Sequence, residues 1–136
     1  MTTYLSLGSN IHPRHKYIDE ACRLIEQQAG HILARSQNFY SAPWGYDSKS
    51  EYLNIALKVE TRLLPFELLR TTQEIERQLG REIKGVYADR TIDIDIMLYI
   101  NDKGEEISIT SPTLTIPHPH ISEREFMQQP LNEIRH

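Results

Sequence analysis

Apolar and polar positions alternate weakly from Thr2 to Leu7 and the pattern stops at Gly8-Ser9-Asn10, which predicts a strand closed by a turn. After Pro13, the residues Ile18, Ala21, Cys22, Ile25 and Ala29 recur at helical spacing and mark one apolar face. Gly30 stands where a helix end favours left-handed backbone. His31 to Tyr40 reads as a strand, and Ser41 to Ser50 as a loop carrying the bulky rings of Trp44 and Tyr46. Tyr52 to Glu60 alternates cleanly, with Leu53, Ile55, Leu57 and Val59 inward and Asn54, Ala56, Lys58 and Glu60 outward. Pro65 suits a first helical turn, and Leu68, Leu69, Thr72, Ile75, Glu76 and Leu79 keep helical spacing up to Gly80. A polar connection from Arg81 to Asp89 leads into a strand from Thr91 to Ile100. Asn101-Asp102-Lys103-Gly104 then makes a turn into a short strand from Glu106 to Ile109. Beyond Pro112 the pattern is broken by Pro117, Pro119 and Pro130, which predicts an irregular segment draped over a sheet edge, with one short helix from Ser122 to Gln128.

The order strand, helix, strand, strand, helix, strand is that of an α+β, ferredoxin-like βαββαβ unit, an antiparallel sheet with helices packed on a face and an irregular C-terminal segment. A length of 136 residues suits one domain, residues 1–136, with a core of its own. Hydrophobic residues at 39% and charged residues at 25% exclude a disordered tail. Lys and Arg number 15 against 19 Asp and Glu, so the formal charge is 15 − 19 = −4. No stripe of basic residues is present, which argues against a nucleic-acid partner, and a polyanionic ligand would need metal ions or a few focused cations. The single cysteine, Cys22, excludes an internal disulfide and reads as a core thiol in a reducing compartment. The first residues carry no signal-peptide pattern and no run approaches the length of a membrane span, so a cytoplasmic protein with no membrane partner is expected.

The chemistry is concentrated in DRTIDIDIMLY, Asp89 to Tyr99. Strand periodicity of two puts Ile92, Ile94, Ile96 and Leu98 on one face and Asp93 with Asp95 on the other. Two neighbouring carboxylates repel unless a positive charge sits between them, and a divalent cation is a natural occupant. An amphipathic strand with a wet polar face gives the same alternation. Mg²⁺ takes one or two carboxylates together with substrate phosphates, whereas zinc would call on Cys or His, and His118 and His120 lie in another segment. Arg81 and Arg90 bracket the preceding loop with Lys84 between them, so guanidinium groups can converge on phosphate oxygens. Pairing of these cations with Glu82 or Asp89 is the plainer alternative. Gly8-Ser9-Asn10 offers backbone N–H groups to an anion but lacks the spacing of a P-loop.

The segments YLSLGSN, FYSAPWG, EYLN, TQEIERQLGR, DRTIDIDIMLY and LTIPHPHISEREFMQQPLNEI, in this order over nearly the whole chain, resemble the 6-hydroxymethyl-7,8-dihydropterin pyrophosphokinase family of the folate pathway. The resemblance implies a monomeric enzyme that moves the terminal diphosphate of the co-substrate ATP to the pterin hydroxymethyl group and releases AMP. It also implies two Mg²⁺ ions held by Asp93 and Asp95, a pterin stacked between Tyr52 and Phe126 and hydrogen-bonded at its edge by Asn54, and further walls from Ala42, Pro43 and Trp44. Tyr52 and Phe126 read without the resemblance as core filling. Gln73, Glu76, Arg81, Arg90, His118 and Arg124 fall on positions that bind the nucleotide and its phosphates, with Lys84 as the remaining cation of the loop. Arg81 and Arg90 would then stabilise charge on the bridging and leaving oxygens. Many members carry more arginine in this interval, with a Trp and a Pro before the second Arg, whereas here it reads EIKGVYAD. Two competing classes are a nucleotide- or pterin-binding homologue without turnover and a ferredoxin-like RNA-binding domain; the acidic balance argues against the second.

Overall fold

The computed structural model describes residues 1–42, 51–80 and 91–135. Strand β1 (Thr2–Ser9) is followed by α1 (Arg14–Gln28), β2 (His31–Arg35), β3 (Phe39–Ser41), β4 (Tyr52–Glu60), α2 (Pro65–Gln78) and β5 (Asp93–Ile100). The main sheet is antiparallel with order β2-β4-β1-β5, and β3 also pairs with β4. A separate two-stranded ribbon, β6 (Ile109–Thr110) with β7 (Thr115–Ile116), precedes a 3₁₀ turn at Ile121–Glu123 and helix α3 (Glu125–Ile134). Among the described residues, no helix is long and apolar enough to cross a membrane.

One face of the sheet carries the larger core. Leu5 and Leu7 of β1, Leu53, Ile55, Leu57 and Val59 of β4, and Ile94 and Ile96 of β5 are buried there against Ile18, Ala21 and Ile25 of α1 and Leu68 and Ile75 of α2. The predicted apolar face of α1 is therefore the one that packs, although Cys22 sits only at the margin of this cluster. Burial pushes the Cys22 thiol up to about 11. Helix α2 starts as its sequence requires: Pro65 occupies the first turn and the Glu67 carboxylate accepts the Leu64 N–H at 2.8 Å. Gly80 ends it with φ +95°, a conformation open to glycine at no steric cost. Gly30 has a different reason from the one predicted: its backbone is not left-handed, and a Cβ there would lie 2.1 Å from the Glu60 carbonyl oxygen.

The second face is covered in part by α3, where the sequence predicts an irregular tail and a helix ending at Gln128. Helix α3 instead continues through Pro130 to Ile134, because Met127, Pro130, Leu131 and Ile134 are buried on one side of it. Met127, Leu131 and Ile134 pack on Tyr4, Ala56, Met97 and Leu98. Leu98 was expected beside the isoleucines of β5. A bulge corrects this: Leu5 opposes Ile96 but Tyr4 opposes Leu98, so Met97 is an extra residue that turns Leu98 to the second face and Tyr99 to the first. β1 also runs to Ser9, past the predicted turn, because Gly8 and Ser9 still pair with Asn54 and Leu53. The predicted strands at 31–40 and 106–109 are shorter pieces, β2 with β3, and a single bridge from Ile100 to Glu106 followed by β6.

Candidate active site

Register across the second face sets two rows of side chains. Asn54 opposes Gly8 and Gly8 opposes Asp93; two residues on, Ala56 opposes Ser6 and Ser6 opposes Asp95. The predicted pterin-edge residue and the predicted metal ligands thus occupy one face of three neighbouring strands. Asn54 is only 2% exposed, and its Nδ2 donates to the Phe39 carbonyl at 3.0 Å and to Ser41 Oγ at 2.8 Å. The amide is held from the β3 side. Gly8 leaves room above the floor: a Cβ on it would come within 3.1 Å of Asn54 Oδ1 and 3.3 Å of the Tyr52 ring. Tyr52 is half-buried at the start of β4, with its ring over Gly8.

Asp93 and Asp95 are both half-buried on β5, with buried Ile94 between them. β5 is an edge strand, so its outward backbone groups need partners from outside the sheet. Ile94 N–H donates to Glu76 Oε2 at 2.8 Å, His118 N–H donates to the Met97 carbonyl at 2.9 Å, and Ile107 N–H donates to the Tyr99 carbonyl at 2.8 Å. Glu76 is 2% exposed, a carboxylate buried in α2 among Leu68, Thr72 and Ile75. Two short carboxylates on a rigid strand give all-oxygen donors, and among the described residues no group of three or more His, Cys, Asp or Glu is placed to hold a metal. That donor set fits Mg²⁺, which completes its shell with water and phosphate, and does not fit a closed zinc site.

The C-terminal segment supplies the remaining predicted residues. His118 Nδ1 accepts the His120 N–H at 3.1 Å, so the proton of the neutral ring lies on Nε2. His118 and Asp95 line one cleft of about 220 Å³ with Leu69, Ser111 and Leu114, along the open edge of β5. Arg124 precedes α3 with its guanidinium carbon 5.7 Å from the centre of the Phe126 ring, and Phe126 is half-buried at the margin of the second-face cluster. Gln73 is half-buried on α2, one turn before Glu76, and Ala42 is exposed directly after β3. Pro43, Trp44, Arg81, Lys84 and Arg90 lie outside the described residues. Sequence reasoning does not reach Ser41, which holds Asn54, or the cleft at Ser111 to Thr115. The first follows from strand pairing between β3 and β4, and the only local sign of the second is the turn chemistry of Ser111-Pro112.

The 7,8-dihydro-6-hydroxymethylpterin-pyrophosphokinase (HPPK) family model matches residues 4–136. The chain is 39% identical over 134 residues to a 2-amino-4-hydroxy-6-hydroxymethyldihydropteridine pyrophosphokinase of Porphyromonas gingivalis, covering 96% of this chain and 88% of the relative. It is 39% identical over 132 residues to the Bacillus subtilis protein of the same name, covering 96% and 76%. Among solved structures, a triple mutant of Plasmodium falciparum HPPK-DHPS matches with a TM-score of 0.72 at 18% identity, covering 97% of this chain and 40% of that one. The chain thus spans less than half of that longer protein, and the likeness bears on the fold alone. With a model match over almost its whole length and relatives at this identity, the chain belongs to the 7,8-dihydro-6-hydroxymethylpterin-pyrophosphokinase family.

Proposed function

We propose that this chain transfers the terminal diphosphate of ATP to the hydroxymethyl oxygen of 6-hydroxymethyl-7,8-dihydropterin, releasing AMP, as a step of folate biosynthesis. Family membership and the names of the relatives support the activity. The single observation that supports its placement is the row Asn54, Gly8, Asp93: the Asn54 amide and the Asp93 carboxylate stand on one face of β4 and β5, the two strands that flank β1. Residues 1–136 act as one pyrophosphokinase domain, a cytoplasmic monomer, and the strand order β2-β4-β1-β5 favours the ferredoxin-like reading of the fold.

The pterin half of the site lies on the sheet. A flat bicyclic ring stacks between Tyr52 and Phe126 while Asn54 reads its edge, with Ala42, Pro43 and Trp44 as further walls. The nucleotide half lies along the open edge of β5, where Leu69 and Leu114 form apolar walls and the Nε2 proton of His118 faces a phosphate or ribose oxygen. Gln73, Glu76 and Arg124 belong to this half, together with Lys84, Arg81 and Arg90. Asp93 and Asp95 would hold the two Mg²⁺ ions, which would supply neutralisation of the triphosphate charge. The chain's own residues then orient the reactants: the stacked ring aims its hydroxymethyl oxygen in line with the β-phosphorus, and AMP leaves on the opposite side. Arg81 and Arg90 stabilise the charge that moves onto the bridging and leaving oxygens.

The test follows AMP formation from ATP, the pterin and Mg²⁺. Stoichiometric AMP and pterin diphosphate are expected. A folded protein that binds both ligands and forms no AMP would make this chain a binding homologue instead.

A further inference from the structure

We propose that Glu76 is a positioning residue for the metal platform: by accepting the Ile94 N–H, its carboxylate fixes the stretch of β5 between Asp93 and Asp95. The inference rests on the reading of those aspartates as magnesium ligands. β5 is paired on its inner side, where Gly8 and Ser6 oppose Asp93 and Asp95, and its outer side faces away from the sheet. Two of its outward carbonyls, those of Met97 and Tyr99, are met by backbone N–H groups of His118 and Ile107. The amide of Ile94 is met instead by a buried side-chain carboxylate at 2.8 Å.

That exchange has a cost and a consequence. A carboxylate at 2% exposure carries a desolvation penalty that leucine at this helical position would avoid. Leucine would also remove this acceptor from an amide at the strand edge. A hydrogen bond from the strand amide to a side chain fixed on a packed helix restrains the backbone dihedrals that separate the two aspartates. Among the described residues no three-membered metal-binding group forms, so Glu76 does not join the pair as a further ligand. Its hold on the aspartate pair runs through the amide. Because Glu76 belongs to α2, the bond also ties the orientation of the aspartates to the helix that bears Gln73.

The test compares Glu76→Ala and Glu76→Gln with the unaltered enzyme, following AMP formation across a Mg²⁺ titration well below each melting temperature. Glu76→Ala is expected to lower kcat and to raise the Mg²⁺ concentration for half-maximal rate, each by about tenfold or more, the range seen when outer-shell partners of metal ligands are removed. Glu76→Gln keeps an acceptor oxygen and is expected to recover most of both losses. Ile75→Val, a core change on the same helix, lowers stability while leaving the Mg²⁺ midpoint in place. Hydrogen exchange at the Ile94 amide reads the link independently of activity: it accelerates in Glu76→Ala and stays slow in Glu76→Gln. A folded Glu76→Ala with an unchanged Mg²⁺ midpoint overturns the proposal, as does a Glu76→Gln variant as impaired as the alanine. If Asp95→Ala proves active while Ile94 exchange responds as expected, the metal reading fails and the Glu76–Ile94 link stands.

Discussion

Leu7 and Gly8 are neighbours in β1 and meet opposite demands. Leu7 points into the layer under α1 and α2, is fully buried, and has apolar partners from both helices and from β4. Gly8 points to the face only partly covered by α3, and its worth is the space it leaves for Asn54 and the Tyr52 ring. The same contrast runs along β5, where Ile94 faces the first core and Asp93 and Asp95 face the second side. Burial on the helix-covered face scales with apolar area removed from water and supplies most of the stability. The other face keeps polar groups whose value lies in what they bind. A sheet so divided can carry carboxylates on one face of its edge strand without weakening its core, because the larger cluster of α1 and α2 holds the strands in register.

The largest expected effect is on the functional side. Asp95→Ala should lower AMP formation by about a thousandfold or more, equivalent to about 4 kcal/mol of transition-state stabilisation. Its stability should stay within about 1 kcal/mol of the parent, since a half-buried polar side chain outside the core is removed. Turnover assays and a denaturant melt on the same preparation check both halves, and an active variant would remove Asp95 from the metal site. Leu7→Ala should do the reverse. Deleting a fully buried leucine costs about 2–5 kcal/mol of stability. At 25 °C the fraction still folded should keep kcat within about threefold, because the Leu7 side chain lies in the first core, on the face opposite Asn54, Asp93 and Asp95. Loss of turnover in folded Leu7→Ala would show that the two faces are coupled and that the division drawn from Leu7 and Gly8 is wrong.

How far the chain discloses this division depends on the range of the signal. Strand β4 is plain in the sequence because nine residues alternate without interruption, and its bounds are those predicted. Asp93 and Asp95 are equally visible, since a period of two assigns them one face wherever the strand lies. The face of Leu98 is not visible, because the bulge at Met97 is set by pairing with β1 and leaves no local mark. The reach of α3 past Pro130 is hidden for a related reason: propensity reads proline as a stop, while the buried side of Met127, Leu131 and Ile134 stabilises the helix through packing. In the site, the nearness of Gly8 to Asn54 needs register between strands more than forty residues apart. The Glu76 bond to Ile94 is hidden too, because Glu76 falls in a helical run of apolar spacing and only the fold turns it toward the β5 edge.

Gly8→Ala isolates the second face with the least disturbance. The backbone at Gly8 is ordinary strand, since the described glycines with positive φ are Gly80 and Gly104, so alanine is allowed there. In a strand interior alanine relieves a backbone-entropy cost of about 0.5–1 kcal/mol that glycine carries. The new methyl group meets Asn54 Oδ1 at 3.1 Å and the Tyr52 ring at 3.3 Å, closer than comfortable contact. The Asn54 amide is anchored through Nδ2 to Phe39 and Ser41, so the half-buried Tyr52 ring is the side that yields. These terms oppose each other in the melt, and the net stability change should lie within about 1 kcal/mol. They do not oppose each other in binding: a ring moved by a few tenths of an ångström should weaken pterin affinity by about tenfold, by analogy with the steep cost of misplacement at reacting centres. ATP affinity, measured separately, should be unchanged because Gly8, Asn54 and Tyr52 are not among the residues that line the β5 edge cleft. Pterin titration by fluorescence checks the first and calorimetry with an ATP analogue the second. Unaltered pterin binding in folded Gly8→Ala would take the pterin off the Asn54–Gly8 floor, and the functional half of the comparison would have to be redrawn around the β5 edge alone.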